Sequence, residues 1–320
     1  MGGPARTGRS PFFMRTCAIV NPAAGRGRVR RLWPTLEPRL RAIVPDLTVE
    51  RTSAPGAATP LTRTAVREGA ERIVAVGGDG TLHEVVNGFF AEDGTPFSPA
   101  PVLTPLACGT GTDFRRSLGV PPARDAVDRL STPRTRRIDL LRVTYTEASG
   151  ERSHRYALNV ASFGLSGRVV EALGSGGRGV PGRLYYLSAL LRALASHRPF
   201  AVVIRVDGTT VPAGATHLVA VANGHSFGGG IRIAPDAVLD DGRLDVTALH
   251  DASAWALLGR LPHFYRGTHP ALDGVTTLRG RRLVARPLRD TPIPLEADGE
   301  LLGRLPAAVT VVPDALRLQY

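Results

Sequence analysis

The chain has 320 residues, 43% of them hydrophobic and 21% charged, which suits a folded protein with room for two cores and argues against a disordered one. Lys and Arg number 40 against 28 Asp and Glu, and the net charge of +12 favours anionic partners such as nucleotides, nucleic acid or acidic membrane surfaces. The two cysteines, Cys17 and Cys108, argue against a disulfide scaffold or a zinc site and fit a reducing cytoplasm; no run approaches the ~20 apolar residues of a membrane span, so membrane contact is expected to be peripheral.

Residues 1–14 read as a disordered lead-in, polar and rich in Gly, Pro and Arg at first, with Arg6 where a myristoylation site needs Ser or Thr. From 15 to 133 the pattern alternates strand and helix. Residues 17–20 form a strand, and the basic segment 28–43 a helix despite Pro34 and Pro38. Strand 47–51 and helix 61–69 follow, then a buried strand at 73–76, where the apolar run is continuous and mostly β-branched. Leu82, Val85, Val86 and Phe89 recur at helical spacing, with Thr81 and Glu84 three apart as a capping box requires. A strand at 102–106 and a helix from Asp113 complete a three-layer α/β domain with a mainly parallel sheet.

Ligands on such sheets bind at the carboxyl ends of the strands, where three glycine-bearing turns fall. Gly77-Gly78-Asp79-Gly80-Thr81 opens a helix, so backbone N–H groups and a positive dipole end converge on a spot that suits phosphates. Asp79 repels phosphates unless a cation stands between, a conflict that a nucleotide–Mg²⁺ site resolves. The pentapeptide alone equally suits a turn whose glycines only supply positive φ. Asn21-Pro22-Ala23-Ala24-Gly25-Arg26-Gly27 could face phosphates or simply turn the chain, and Gly109-Thr110-Gly111-Thr112-Asp113 could cap the same ligand or only the next helix.

Residues 134–320 are β-rich, with strands expected at 138–144, 155–160, 201–206, 217–222, 244–249, 283–285 and 309–312; the segment 309–320 is compatible with packing back on the first domain. One helix carries Leu184, Leu187, Leu190, Leu191 and Leu194 on one side, as a lipid wall or as cover for this domain's core, with Arg183, Arg192 and Arg198 near it. Glycine-rich 174–182 reads as a mobile loop. Asp240-Asp241-Gly242 suits either a hard cation or a hairpin turn, and Asp298-Gly299-Glu300 either a general base or a solvated turn.

In this order along the chain, the set resembles the diacylglycerol kinase catalytic family, which includes sphingosine and ceramide kinases and soluble bacterial lipid kinases. The Asn21-Pro22 loop, the block from Gly77 to Glu84, Gly109-Thr110-Gly111 with Asp113, Asn223-Gly224, Gly228-Gly229-Gly230, Ala234-Pro235-Asp236-Ala237, Asp241-Gly242 and Asp298-Gly299-Glu300 carry the likeness over residues 17–318. The resemblance implies an N-terminal three-layer α/β nucleotide domain, like that of NAD kinases and phosphofructokinases, followed by a C-terminal β-sandwich. It implies ATP contacts at Asn21, Gly25, Thr52, Gly77, Gly78, Asp79, Gly80, Thr81, Glu84, Gly109 and Thr110, with Asp79 acting with Mg²⁺. Glu300, supported by Asp298, would take the proton from a lipid hydroxyl, and a structural Mg²⁺ would bind Asp241 and the carbonyls of Val238 and Arg243.

Thr112 stands where that family usually has Asn, and Ala107 where Pro is common, which weakens the match of the third loop. The expected activity is Mg²⁺-dependent, ATP-driven phosphorylation of a lipid such as diacylglycerol by a cytoplasmic enzyme that meets its substrate at an anionic membrane surface. Alternatives are a sphingoid-base or ceramide kinase and a kinase of NAD or another soluble metabolite. Nucleic acid is not expected as a partner, since the chain lacks a helix-turn-helix, zinc or aromatic RNA-binding pattern. Oligomeric state is left open, a homodimer included.

Overall fold

The computed structural model describes residues 14–108, 113–119, 127, 130, 134–174, 182–211, 214–250 and 254–319, with no account of the side chains of 182–185 and 254–255. The expected lead-in before Met14, the turn with Gly109 and Thr110, and most of the glycine-rich loop lie outside these residues. The chain divides into two compact units, one made of Met1–Gly109, Val120–Arg136 and Leu316–Tyr320, the other of Thr110–Gly119 and Arg137–Ala315.

Unit 1 contains β1 (Thr16–Val20), α1 (Ala24–Ile43), β2 (Thr48–Arg51), α2 (Ala58–Arg67), β3 (Arg72–Gly77), α3 (Asp79–Asn87) and β4 (Val102–Ala107). The strands run in parallel in the order β2-β1-β3-β4, as connections through helices require. β1 and β3 are buried along their whole length, which explains their unbroken apolar runs. Ala18, Val20, Val74 and Val76 pack with Val29, Trp33, Leu36 and Leu40 of α1. Pro34 and Pro38 are exposed, one turn apart, so the backbone bonds they remove lie where water can replace them.

Unit 2 contains α4 (Asp113–Leu118), β5 (Thr135–Thr146), β6 (Arg152–Ala157), β7 (Val160–Gly164), α5 (Leu165–Gly174), α6 (Gly182–Ser196), β8 (Val202–Val206), β9 (Thr209–Val211), β10 (Thr216–Ala222), β11 (Leu244–His250), α7 (Ala254–Arg266), β12 (Val275–Gly280), β13 (Arg282–Pro287), β14 (Pro294–Ala297) and the long β15 (Glu300–Gln319). One sheet has the order β12-β11-β10-β7-β14-β15; in the other, β13 pairs with β8 and β15, β8 with β9, and β5 with β6 and β15. β15 joins both, and inward residues such as Phe163, Val219, Val246, Ile204 and Val309 share one core, which makes this a β-sandwich. At its far end β15 enters unit 1, where Arg317 and Leu318 pair with Val102 and Leu103 of β4. There buried Arg72 hydrogen-bonds Thr16 Oγ1 at 3.1 Å and Gln319 Oε1 at 3.3 Å, fixing the strand's register.

The leucine pattern of α6 gives way to a different stripe. Ala189, Ala193 and Leu194 are buried, whereas Leu187 and Leu191 are exposed. Small residues let the helix sit close, and Leu187 and Leu191 turn outward. Helices α5 and α7 and strands β9 and β12 have no counterpart in the sequence expectations. β12 is a partly buried edge strand, Val-Thr-Thr-Leu-Arg-Gly, and α7 contains Gly259 and Pro262, so neither shows a clean period.

Candidate active site

In unit 1 the strand register brings the first two expected loops and Thr52 to one edge. Val20 lies opposite Arg51 on one side and Val76 on the other, and Gly77 lies opposite Ala107. The ladder then continues one residue further on each strand. Asn21 N–H donates to Val76 O at 3.0 Å, Thr52 N–H to Val20 O at 2.9 Å, and Cys108 N–H to Gly77 O at 2.8 Å. Asn21 and Thr52 therefore leave the sheet beside the Gly77-Gly78 turn.

The Asn21 side chain ties two of these loops together. Its Nδ2 donates to Thr81 Oγ1 at 2.9 Å, and its Oδ1 accepts from Ala23 N–H at 3.0 Å. Gly25, Arg26 and Gly27 then take left-handed φ values of 60°, 58° and 78°, so regular helix starts only after Gly27. A left-handed Arg26 is strained by roughly 1–2 kcal/mol, and such strain accumulates at ligand-binding backbone.

The α3 turn depends on close packing. A Cβ on Gly77 would lie 2.3 Å from Thr81 Oγ1, which only glycine avoids. Gly78 is the extended N-cap and no side chain caps the helix from it, so the first turn is open to an external anion. The expected capping box does not form. Thr81 sits inside the helix, and Glu84 accepts from Gly56 N–H and Ala58 N–H, both at 2.9 Å, capping the start of α2 instead. Glu84 therefore braces the segment after Thr52, a role that spacing within α3 could not reveal.

These residues fit a nucleoside triphosphate: glycines where backbone must come close, an open helix start and an acid in its first turn. Among the described residues no group of three or more His, Cys, Asp or Glu could cage a metal. Asp79 at this helix start fits the other common Mg²⁺ arrangement, one carboxylate with the remaining ligands supplied by phosphates and water.

In unit 2, Asp298 and Gly299 form the two-residue turn between β14 and β15, with φ of 52° and 87° and Ala297 opposite Glu300. This is the hairpin geometry that Asp-Gly favours, and it makes Glu300 the exposed first residue of β15. The Asp298 carboxylate accepts from the N–H groups of Leu158 (2.8 Å), Asn159 (3.0 Å) and Val160 (3.2 Å). Asp298 thus anchors the turn to the start of β7. Asp298→Ala is expected to leave these amides unpaired and to destabilise unit 2 by roughly 1–3 kcal/mol; urea unfolding measures it, and an unchanged midpoint would contradict this role.

Sequence reasoning missed Glu296. It is buried at 3% exposure, accepts from Gly299 N–H at 2.9 Å and is hydrogen-bonded by the buried Ser162 hydroxyl. The signal was available: an acid inside the apolar strand Pro294–Ala297 needs partners when buried. Asp113, expected only as part of the third glycine motif or as a helix cap, accepts from Gly229 N–H at 2.7 Å and pairs with Arg116 at 2.6 Å, joining α4 to the glycine loop in the same unit. Gly228, Gly229 and Gly230 there have φ of 59°, 85° and 108°, which only glycines adopt readily.

At the 240–242 turn, Asp139 of β5 accepts from Gly242 N–H at 2.7 Å, and burial pushes its carboxyl up. One Asp241 oxygen accepts from Arg243 N–H at 3.0 Å, and the other is ion-paired with Arg279 Nη2. Asp245 pairs with Arg279 Nε at 3.1 Å; burial raises its carboxyl and Arg279 opposes the rise. Asp241 with the carbonyls of Val238 and Arg243 does not fit a resident Mg²⁺ in this arrangement, because both oxygens of the single carboxylate are engaged, one by a cation.

The sequence matches the diacylglycerol kinase catalytic domain family over residues 15–143 and the YegS C-terminal NAD kinase beta sandwich-like domain family over residues 159–320. It is 28% identical over 307 residues to a diacylglycerol kinase of Mycobacterium tuberculosis, covering 95% of this chain and 94% of the relative. It is 31% identical over 258 residues to a probable YegS-like lipid kinase of Xanthomonas oryzae, covering 79% and 80%. Among solved structures, a diacylglycerol kinase of Bacillus anthracis superposes with TM-score 0.69 at 22% identity, over 96% of this chain and 97% of that one. Yeast NADH kinase superposes with TM-score 0.52 at 11% identity, covering 95% and 82%, a likeness of fold.

Proposed function

Because this chain belongs to the diacylglycerol kinase family of lipid kinases, we propose that it transfers the γ-phosphoryl group of ATP to a hydroxyl of a lipid such as diacylglycerol. The observation that carries this reading is the register of β1 to β4, which aligns Asn21, Thr52 and Gly77-Gly78 at one strand edge. Nucleotide binding is assigned to this edge of unit 1, with Asn21, Gly25, Thr52, Gly77, Gly78, Asp79, Gly80 and Thr81 at the phosphates and Glu84 holding the α2 start. Gly109 and Thr110, which follow β4 in sequence and lie outside the described residues, are assigned with them.

Asp79 would hold a Mg²⁺ ion, whose chemistry when bound is to neutralise charge on the phosphates. Glu300 in unit 2 takes the proton of the acceptor hydroxyl, and Asp298 fixes the turn that presents it. Asp298 is the poorer base because its carboxylate already accepts from three backbone N–H groups, which restrict its position. No described helix is long and apolar enough to cross a membrane. A net charge of +12 and the exposed Leu187 and Leu191 beside Arg192 support meeting the lipid at an anionic surface.

The test is a panel of acceptors with labelled ATP: diacylglycerol, a sphingoid base, a ceramide and NAD. Fastest phosphorylation of diacylglycerol is the expected result. Phosphorylation of a sphingoid base or ceramide instead would keep the lipid kinase and correct its substrate, and transfer to NAD alone would overturn the reading.

A further inference from the structure

Four acids, Asp236, Asp240, Asp241 and Asp245, fall within ten residues leading into β11, and their mutual repulsion must be offset for the turn to fold. Arg279 supplies positive charge at two of them. It stands directly opposite Asp245 in the antiparallel β11–β12 pair, with Nε 3.1 Å from Asp245 Oδ1 and Nη2 ion-paired with Asp241 Oδ2. We propose that in this chain the Arg279 guanidinium takes the place of a structural cation at the 240–242 turn, so that unit 2 needs no resident divalent metal.

The geometry accounts for both tasks a metal would perform there. The first is neutralisation, and a planar guanidinium with several fixed donors can serve two carboxylates at once. The second is tethering of the turn to the sheet. Arg279 belongs to β12, so its bond to Asp241 ties the turn to a strand already in register with β11, while Asp139 holds Gly242 from β5. The remaining Asp241 oxygen accepts from Arg243 N–H at 3.0 Å. A dication could take Asp241 only by displacing a like-charged group held by a cross-strand partner. Asp241 is 25% exposed and Asp245 13%, so the pairs are partly shielded from water and salt.

The proposal concerns the fold of unit 2 and does not rest on the kinase reading. Its test is thermal unfolding of the full-length, nucleotide-free protein in EDTA and in excess magnesium chloride. Wild type is expected to melt at the same temperature in both. Arg279→Met, which keeps an apolar stem and removes the charge, should melt roughly 2–6 °C lower in EDTA, and magnesium should restore part of the loss unless Asp241→Asn is also present. Arg279→Lys, expected to fold well, should stay insensitive to magnesium. A magnesium-dependent rise in wild type that Asp241→Asn abolishes would overturn the proposal, as would Arg279→Met melting like wild type. Elemental analysis gives a second readout: about one tightly held divalent ion per wild-type chain, lost in Asp241→Asn, would also overturn it.

Discussion

Glu300→Gln is expected to reduce turnover by roughly 10²–10⁴-fold, the usual contribution of a positioned general base, while ATP affinity stays at the wild-type value. Glutamine keeps the size and hydrogen-bonding shape of the side chain but cannot accept the acceptor's proton. The turn itself should persist, because its anchors are Asp298 on the N–H groups of residues 158–160 and Glu296 on Gly299 N–H. ATP affinity should persist because the exchange leaves the residues assigned to the phosphates, Asn21 to Thr81 of unit 1, unaltered. Steady-state rates at saturating ATP, with a separate ATP titration, measure both quantities. A wild-type rate in Glu300→Gln would remove Glu300 as the base.

Asp79→Asn should cost roughly 10²–10³-fold in magnesium-dependent transfer, the scale seen when one preorganised electrostatic partner of a transition state is lost. The sign of its effect on binding depends on the metal. Without magnesium, Asp79 is an acid in the first turn of α3, close to where phosphates would sit. Replacing it with asparagine should therefore leave metal-free ATP bound as well or better. With magnesium the order reverses, because a carboxylate ligand has been removed. Titrations of ATP with and without magnesium read the two directions, and a variant with unaltered magnesium-dependent kinetics would discredit the phosphate site.

The α/β unit was largely legible because its signals are local. Strands β1 and β3 are unbroken apolar runs, and glycines mark the turns at their ends. The hairpin at Asp298-Gly299 could also be read from two residues, since both take positive φ. What stayed hidden depends on partners far away in sequence. Asp298 finds its amides 138–140 residues upstream, and Glu84 caps a helix that begins 26 residues before it. Arg279 meets Asp241 38 residues away across a strand pair. No spacing rule within one element could assign these acids, so Glu84 read as its own helix's capping residue and the Asp241 segment as either a cation site or a hairpin turn. The leucines of α6 misled for a related reason: periodicity marks a stripe, but the small residues Ala189 and Ala193 decided which side was buried.

The most direct test of the central claim, that this chain phosphorylates a lipid hydroxyl from ATP, is incubation with γ-labelled ATP, magnesium and a total lipid extract, followed by identification of the labelled product. The account predicts label in a lipid phosphate monoester, lost on omitting magnesium and strongly reduced in Glu300→Gln. Label released only as inorganic phosphate, or carried only by a water-soluble product, would contradict it.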